Sequence, residues 1–333
     1  QMCIRDRDNL APALKHLRIE TLEGIQFTLQ PRITILACGG IENARLLLAS
    51  NDTEPNGLGN QHDLVGRFFM DHLVLQWGGA LLTTRRNLPG FWYSTQRRDR
   101  QRLPMPTLLL DDSLQQSAAS GNYSASLGPP ARPTGITSLR YLENKIRADS
   151  EIKRFWHHLG NIIGDIDDVS SSLYYRYFDS ENTPIEPVLY QQWEQVPNPD
   201  SRIQLSAESD SLGMPRVRLN WSLNQLDHHT LLTGQHALAR EVGRLGIGRL
   251  RIDIDAQQAI PDTVEGDNHQ LGTTRMHQSP RHGVVNENCR VHSVDNLFIA
   301  GGSVFPTGGS SNPTLTVVAL ALRLADHLKE QLA

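Results

Sequence analysis

Cysteine is scarce: Cys3, Cys38 and Cys289 are the three in 333 residues, lie far apart and match no zinc-ligand or CxxC spacing. That argues against a disulfide framework and favours a reducing, cytoplasmic compartment. No apolar run approaches the roughly 20 residues needed to cross a bilayer. No charged, apolar, small-residue pattern of a signal peptide opens the chain either. Neither sign of charge dominates, since 36 acidic residues face 32 basic ones for a net charge of −4. The balance gives no electrostatic reason to expect nucleic acid or an anionic membrane as partner. The one local basic run, Arg97, Arg98, Arg100 and Arg102, reads as a solvated loop. Low-complexity tracts, internal repeats and the GxGxxG dinucleotide fingerprint are missing as well. His277, His282 and His292 have no acidic or cysteine cluster beside them at ligand spacing, so no metal site is expected.

What is present describes a folded protein, with 38% apolar and 20% charged residues and length for one large or two ordinary domains. The opening Gln1–Arg7 has neither signal-peptide nor strand character, so the chain reads as truncated, its first seven residues foreign to the fold. LRIETL, IQFTL and RITILA, between Leu17 and Ala37, read as short strands punctuated by Gly24 and Pro31. The last runs into Cys38, Gly39 and Gly40 and then IENARLLLAS, giving strand, glycine turn and helix. In α/β proteins such a turn brings backbone N–H groups and a helix N-terminus to a phosphate or cofactor, although a plain tight turn has equal claim.

From Leu73 to Asp255 strand-like runs alternate with helical stretches, as in an inserted antiparallel sheet covered by helices. Leu226, Leu231, Leu232, Leu238 and Val242 give one apolar face to a helix over 224–245. The Pro- and Ser-rich stretch 117–137 reads as a mobile loop. Near the end, the strand Asn296–Ala300 leads into Gly301 and Gly302, then a loop, then Asn312-Pro313-Thr314 and a long apolar helix. Asn at the N-cap with Pro at N1 is the expected start of that helix, its positive dipole end facing whatever lies in front.

Several segments, spread in order along the chain, together resemble a known family. His269–Met276 (HQLGTTRM), then Cys289–His292 (CRVH), then VDNLFIAGGSVFPTGGSSNPTLTVVALALRLADHL resemble the C-terminal signature of the glucose-methanol-choline (GMC) oxidoreductases. ACGGIENARLLL is similar to the end of that family's flavin-binding half, and GNQHDLVGRFFMDH to the loop that follows it. EQVPNPDSR with LGMPRVRLNW resembles substrate-domain strands on the pyranose-oxidase and sugar-dehydrogenase side. The family's first βαβ unit has no counterpart here.

The resemblance implies a fold that is α/β plus α+β. A partial FAD-binding Rossmann-like domain (residues 1–72 and 256–333) would carry an inserted antiparallel-sheet substrate domain (73–255). It implies FAD as cofactor, a small alcohol or sugar as substrate, and an electron acceptor left open between oxygen, quinone or another. His269 becomes the base that removes the hydroxyl proton, and Asn312 the side chain that orients the hydroxyl. Cys38, Gly39, Gly40, Gly301, Gly302, Asn312, Pro313 and Thr314 become cofactor-binding positions. A flavin-containing lyase of the same fold, or a non-catalytic truncated module, are the alternatives. Plainer roles compete at single residues: Asn312 as a helix cap, Asp71 and His72 as structural, Arg275 as a carboxylate partner, Trp92 and Tyr93 as buried aromatics rather than flanks of a sugar.

Overall fold

A computed structural model describes residues 2–7, 13–88, 106–130, 134–254, 260 and 263–333. The basic run at 97–102 and the aromatics Trp92 and Tyr93 lie outside the described residues. The fold is mixed α/β with mostly antiparallel sheets.

Strands β1 (Met2–Arg7), β2 (Leu14–Glu20) and β3 (Gln26–Leu29) form an antiparallel sheet in that order. The opening segment, expected to lack strand character, is therefore a strand: its backbone pairs with β2, Ile4 opposite Leu17. Strand β4 (Thr34–Leu36) leads into helix α1 (Gly39–Ala49). Far along the chain, β14 (Leu297–Ile299) lies parallel to β4, Phe298 beside Ile35. Helix α7 (Thr314–Leu332) closes the chain.

Between these pieces run β5 (His72–Thr84), β6 (Thr107–Leu109), α2 (Asp112–Ala118), β7 (Tyr123–Pro130), helices α3 (Thr134–Arg147), α4 (Phe155–Gly164) and α5 (Ile166–Phe178), β8 (Pro184–Ile185) and β9 (Pro187–Glu194). The hairpin β10 (Arg202–Ser209) and β11 (Pro215–Asn220), helix α6 (Gln225–Arg244), β12 (Gly248–Ile252) and β13 (Glu265–Gly266) follow. The large sheet runs β12-β5-β9-β7-β6, with β8 and β13 also on β5, all antiparallel. Serine content misleads at 117–137: its described residues are the end of α2, a short connection, all of β7 and the start of α3 rather than one loop. β7 tolerates its serines because Ser124 donates to the Gln192 carbonyl at 3.0 Å, while Tyr123, Ala125 and Leu127 are buried.

Two apolar cores result. One gathers β2, α1, β14 and α7 around Leu36, Leu47, Leu297 and Phe298. The other lies between the large sheet and α6, around Leu75, Leu189, Trp193 and Leu231. The β10–β11 hairpin joins the first core through Ile203 and Met214, although its sequence falls among segments of the second. Helix α6 begins as its pattern predicts, at the N-cap Asn224. Asn224 accepts from the N–H groups of Leu226 and Asp227, and Asp227 accepts in return from the Asn224 N–H at 2.7 Å. This reciprocal box satisfies orphan donors at the helix start. The other Asp227 oxygen accepts from Val196 at 2.7 Å, fastening α6 to the end of β9.

Candidate active site

The site forms where β5 begins, β9 ends and β13 joins them. Strand register sets His72 opposite Glu194. Gly266 pairs with Leu73, and the next residue, Asp267, donates its N–H to the His72 carbonyl at 3.1 Å. Asn268 then takes a left-handed conformation (φ 59°), turning the chain so that His269 comes back over His72. The Asp71 carboxylate joins the two ends, since its Oδ1 accepts from the N–H of His72 and from the N–H of His269, each at 2.8 Å. Burial pushes the Asp71 pKa up even though both backbone donors pull it down.

The two imidazoles meet edge to face, with Nδ1 of His72 and Nδ1 of His269 2.9 Å apart. His72 is fully buried, which holds its pKa below the usual histidine value and keeps the ring neutral. Its Nε2 lies 3.2 Å from the Gly308 carbonyl oxygen, an acceptor, so Nε2 carries the proton and Nδ1 the lone pair. His269 must then donate from its own Nδ1. Its second neighbour, the Asp267 carboxylate at 3.3 Å, is also an acceptor and enforces the same assignment. One backbone carbonyl thus sets the tautomer of two rings and leaves Nε2 of His269 as a lone pair, the form a proton acceptor requires.

Glu194 grips the same glycine loop from its other side. Its Oε1 accepts from the N–H of Gly308 at 3.2 Å and of Gly309 at 3.0 Å, and its Oε2 from Asn122 at 2.6 Å. The loop continues through Ser310 and Ser311 to Asn312. All of these line a cleft of about 370 Å³, with Asp112, Gln115 and Asn122 across from them. Asn312 is exposed and is not the helix cap that the sequence suggests. Pro313 takes the N-cap position, no side chain caps α7, and Thr314 is its first helical residue. Pro313 and Thr316 also line the cleft. His269 and Asn312 are therefore linked through His72 and Gly308; no direct bond joins them.

The glycine turns divide by what surrounds them. A Cβ on Gly40 would stand 2.4 Å from the Gln270 carbonyl oxygen, and one on Gly302 2.6 Å from a Leu271 methyl. Those two glycines let the 269–272 segment pack against α1 and the turn after β14. Gly39 (φ 88°) and Gly301 (φ 125°) instead have nothing within 4 Å of that position. They stand at the carboxyl ends of the parallel strands β4 and β14, the place where α/β sheets bind ligands. Cys38 is exposed and caps α1 without a side-chain bond; its N–H donates to Asn43.

His72 and Glu194 were not legible as site residues, because only the strand register brings them together; an aspartate-histidine pair ending a glycine-rich loop was the faint signal at 71–72. Arg275 stacks its guanidinium over the Phe68 ring, 4.3 Å from the centroid, rather than meeting a carboxylate. Among the described residues, no group of three or more His, Cys, Asp or Glu is placed to hold a metal ion.

Comparison with known proteins bears on this site. Residues 197–321 match the model of a family described as GMC oxidoreductase. The 6'''-hydroxyparomomycin C oxidase of Streptomyces lividus is 30% identical over 99% of this chain and 50% of its own length. The fructose dehydrogenase large subunit of Gluconobacter japonicus is 26% identical over 90% of this chain and 47% of its own. Pyridoxine 4-oxidase from Mesorbium loti superimposes with a TM-score of 0.51 at 15% identity, covering 98% of this chain and 57% of that one. A formate oxidase variant from Aspergillus oryzae RIB40 gives 0.53 at 14%, over 99% and 60%. This chain spans about half the length of the curated relatives it matches.

Proposed function

Because residues 197–321 make this chain a member of the GMC oxidoreductase family, we propose that it serves FAD-dependent oxidation of an alcohol group on a sugar or polyol. His269 is the base and Asn312 orients the hydroxyl. The observation that carries this reading is the proton assignment running from the Gly308 carbonyl through His72 to His269, which leaves Nε2 of His269 as an acceptor.

FAD fits the residues present. Gly39 and Gly301 leave open the space a side chain would fill at the ends of two parallel strands, and the start of α1 adds free backbone N–H groups beside them. Bound there, FAD would supply the acceptor for the hydride that leaves the alcohol carbon. The chain's own residues handle the proton. His269 takes it at Nε2, while Nδ1–H stays fixed between His72 and the Asp267 carboxylate. Asn312, with its amide free of capping duty, orients the substrate oxygen from the wall of the cleft. The uncapped N-terminus of α7 favours negative charge in front of it. The polar cleft wall of Ser310, Ser311, Asn122 and Gln115 suits a hydroxylated substrate, in keeping with the names of the fructose dehydrogenase and the 6'''-hydroxyparomomycin C oxidase.

We infer the same division of the chain as its sequence suggests: 1–72 with 256–333 as the remainder of an FAD-binding, Rossmann-like domain, and 73–255 as the substrate domain. The two separate cores support it, apart from the β10–β11 hairpin, which lies within 73–255 in sequence but packs into the first core. In the FAD-loaded protein, His269→Ala should lower turnover by about 10²- to 10⁴-fold while flavin absorbance stays with the protein. Near-normal turnover would remove His269 from the mechanism. Failure of every sugar and polyol to bleach the flavin would sink the oxidative reading itself and favour a lyase.

A further inference from the structure

A second cavity adjoins the cleft and has the opposite character. It lies between the large sheet and α6, encloses about 460 Å³, and is walled by Leu81 and Leu127 on the sheet and by Ala237 and Val242 on the helix. Its size is ordinary for a small-molecule site, which runs from about 300 to 1,000 Å³. Polar groups are few, with Asn87, Asp111 and Glu241 among its lining residues. An apolar cavity of this size is poorly filled by water, since it offers too few hydrogen-bond partners. It is also not isolated, because Leu109, Leu110 and Tyr123 line both this chamber and the polar cleft that holds Gly308 and Asn312. Tyr123 is fixed as the partition: its hydroxyl donates to Gln191 at 2.8 Å, and its ring lies against Gly234 of α6, where a Cβ would come within 2.3 Å of it.

We propose that this chamber receives an apolar portion of the substrate, so that the preferred alcohol is amphiphilic: a hydroxylated head in the cleft joined to an alkyl chain or aromatic ring beyond Leu109 and Leu110. The proposal rests on the oxidative reading above, which places the hydroxyl in the cleft. It adds what that reading lacks, a feature that separates one sugar derivative from another. A free sugar fills the cleft alone; an alkyl or aryl glycoside fills both spaces.

The test is a series of n-alkyl β-glucosides, from methyl to octyl, titrated calorimetrically into the full chain below their micelle-forming concentrations. Affinity should rise about fourfold for each added methylene until the chamber is full. Ala237→Phe, which fills the chamber from α6, should flatten that dependence and leave methyl glucoside binding unchanged. Leu109 is 66% exposed, so Leu109→Asp perturbs the junction without disturbing a core; it should weaken the long-chain members at least tenfold and keeps the test decisive if Ala237→Phe does not fold. Affinity independent of chain length overturns the proposal. So does equal tightening in wild type and both variants, which would place the chains on another apolar surface. Benzene binding that octyl glucoside fails to displace overturns it too, by making the chamber an independent site. Flavin bleaching by alcohols separates the two readings: bleaching without chain-length dependence removes the chamber's role alone, whereas chain-length dependence without bleaching removes the oxidation alone.

Discussion

At the scale of single residues, the decisive group is one the sequence does not advertise. His72 follows Asp71 at the end of a turn-rich segment, and nothing local distinguishes it from a buried structural histidine. It acts as a positioning residue, accepting the Nδ1 proton of His269 because its own Nε2 is committed to Gly308. His72→Gln can reproduce both roles, its amide nitrogen donating to Gly308 and its oxygen accepting from His269. His72→Ala can reproduce neither. The alanine variant should therefore lose kcat by about 10- to 10²-fold, within the factor a positioned base supplies, and the acid limb of its kcat/KM profile should shift. Glutamine should restore most of both; equal losses in the two variants would mean that His72 only packs. The linkage has a definite sign. The folded-state pKa of His72 lies below its ordinary value, so the unfolded chain binds the proton first as pH falls below about 6.5. Stability contributed by neutral His72 is complete above that pH and is lost as pH drops toward the lowered value. His72→Gln should remove this part of the slope in a melting-temperature profile between pH 7 and 5.

At the scale of elements, patterns that depend on neighbours in sequence were legible and patterns that depend on pairing were not. Helix α6 matched its sequence reading at both ends, because leucine periodicity is a local signal. The strand, turn and helix of β4 and α1 were readable for the same reason. Strand β7 was not: its serines and prolines match a loop, and only the hydrogen bonds from β6 and β9 on either side make it an interior strand. The start of α7 was misread by one residue, since proline can itself occupy the cap position and Asn312 is left in front of it. The capping box of α6 gives the sharpest prediction at this scale. Asn224→Ala removes an acceptor serving two N–H groups and should cost about 0.5–2 kcal/mol in a denaturant titration. No change in midpoint would mean that water replaces the cap at no cost. The partner in the box titrates unusually high, because burial foremost, and then the nearby Glu194 charge, push the Asp227 pKa up to about 6. The folded protein thus holds that proton more tightly than the unfolded chain does. Its share of stability is complete below the ordinary aspartate value near 4 and declines as pH rises through 6. Asp227→Asn should flatten the melting profile between pH 4 and 6, and an unaltered slope there would assign the titration to another group.

At the scale of the whole molecule, polar and apolar requirements are met unevenly. The large sheet is covered by α6 and carries its own core, yet among the described residues the parallel pair β4 and β14 stands as two strands alone. Parallel sheets ordinarily have both faces covered, since their side chains are apolar on both sides. Here Ile35 of β4 is 45% exposed, and α7 presents Leu315 at 82%, Val318 at 49% and Leu322 at 63% along one stripe. Spacings of three and four residues put those three side chains on a common helix face. A contiguous apolar face of this kind binds apolar dyes and associates with itself unless another surface covers it. The chain expressed alone should therefore enhance the fluorescence of anilinonaphthalene sulfonate and sediment with a mass that grows with concentration. Leu315→Lys with Leu322→Lys should reduce both effects without lowering the melting temperature, because neither side chain contributes to the first core. A monodisperse monomer that leaves the dye dark would show the stripe to be covered by the chain itself.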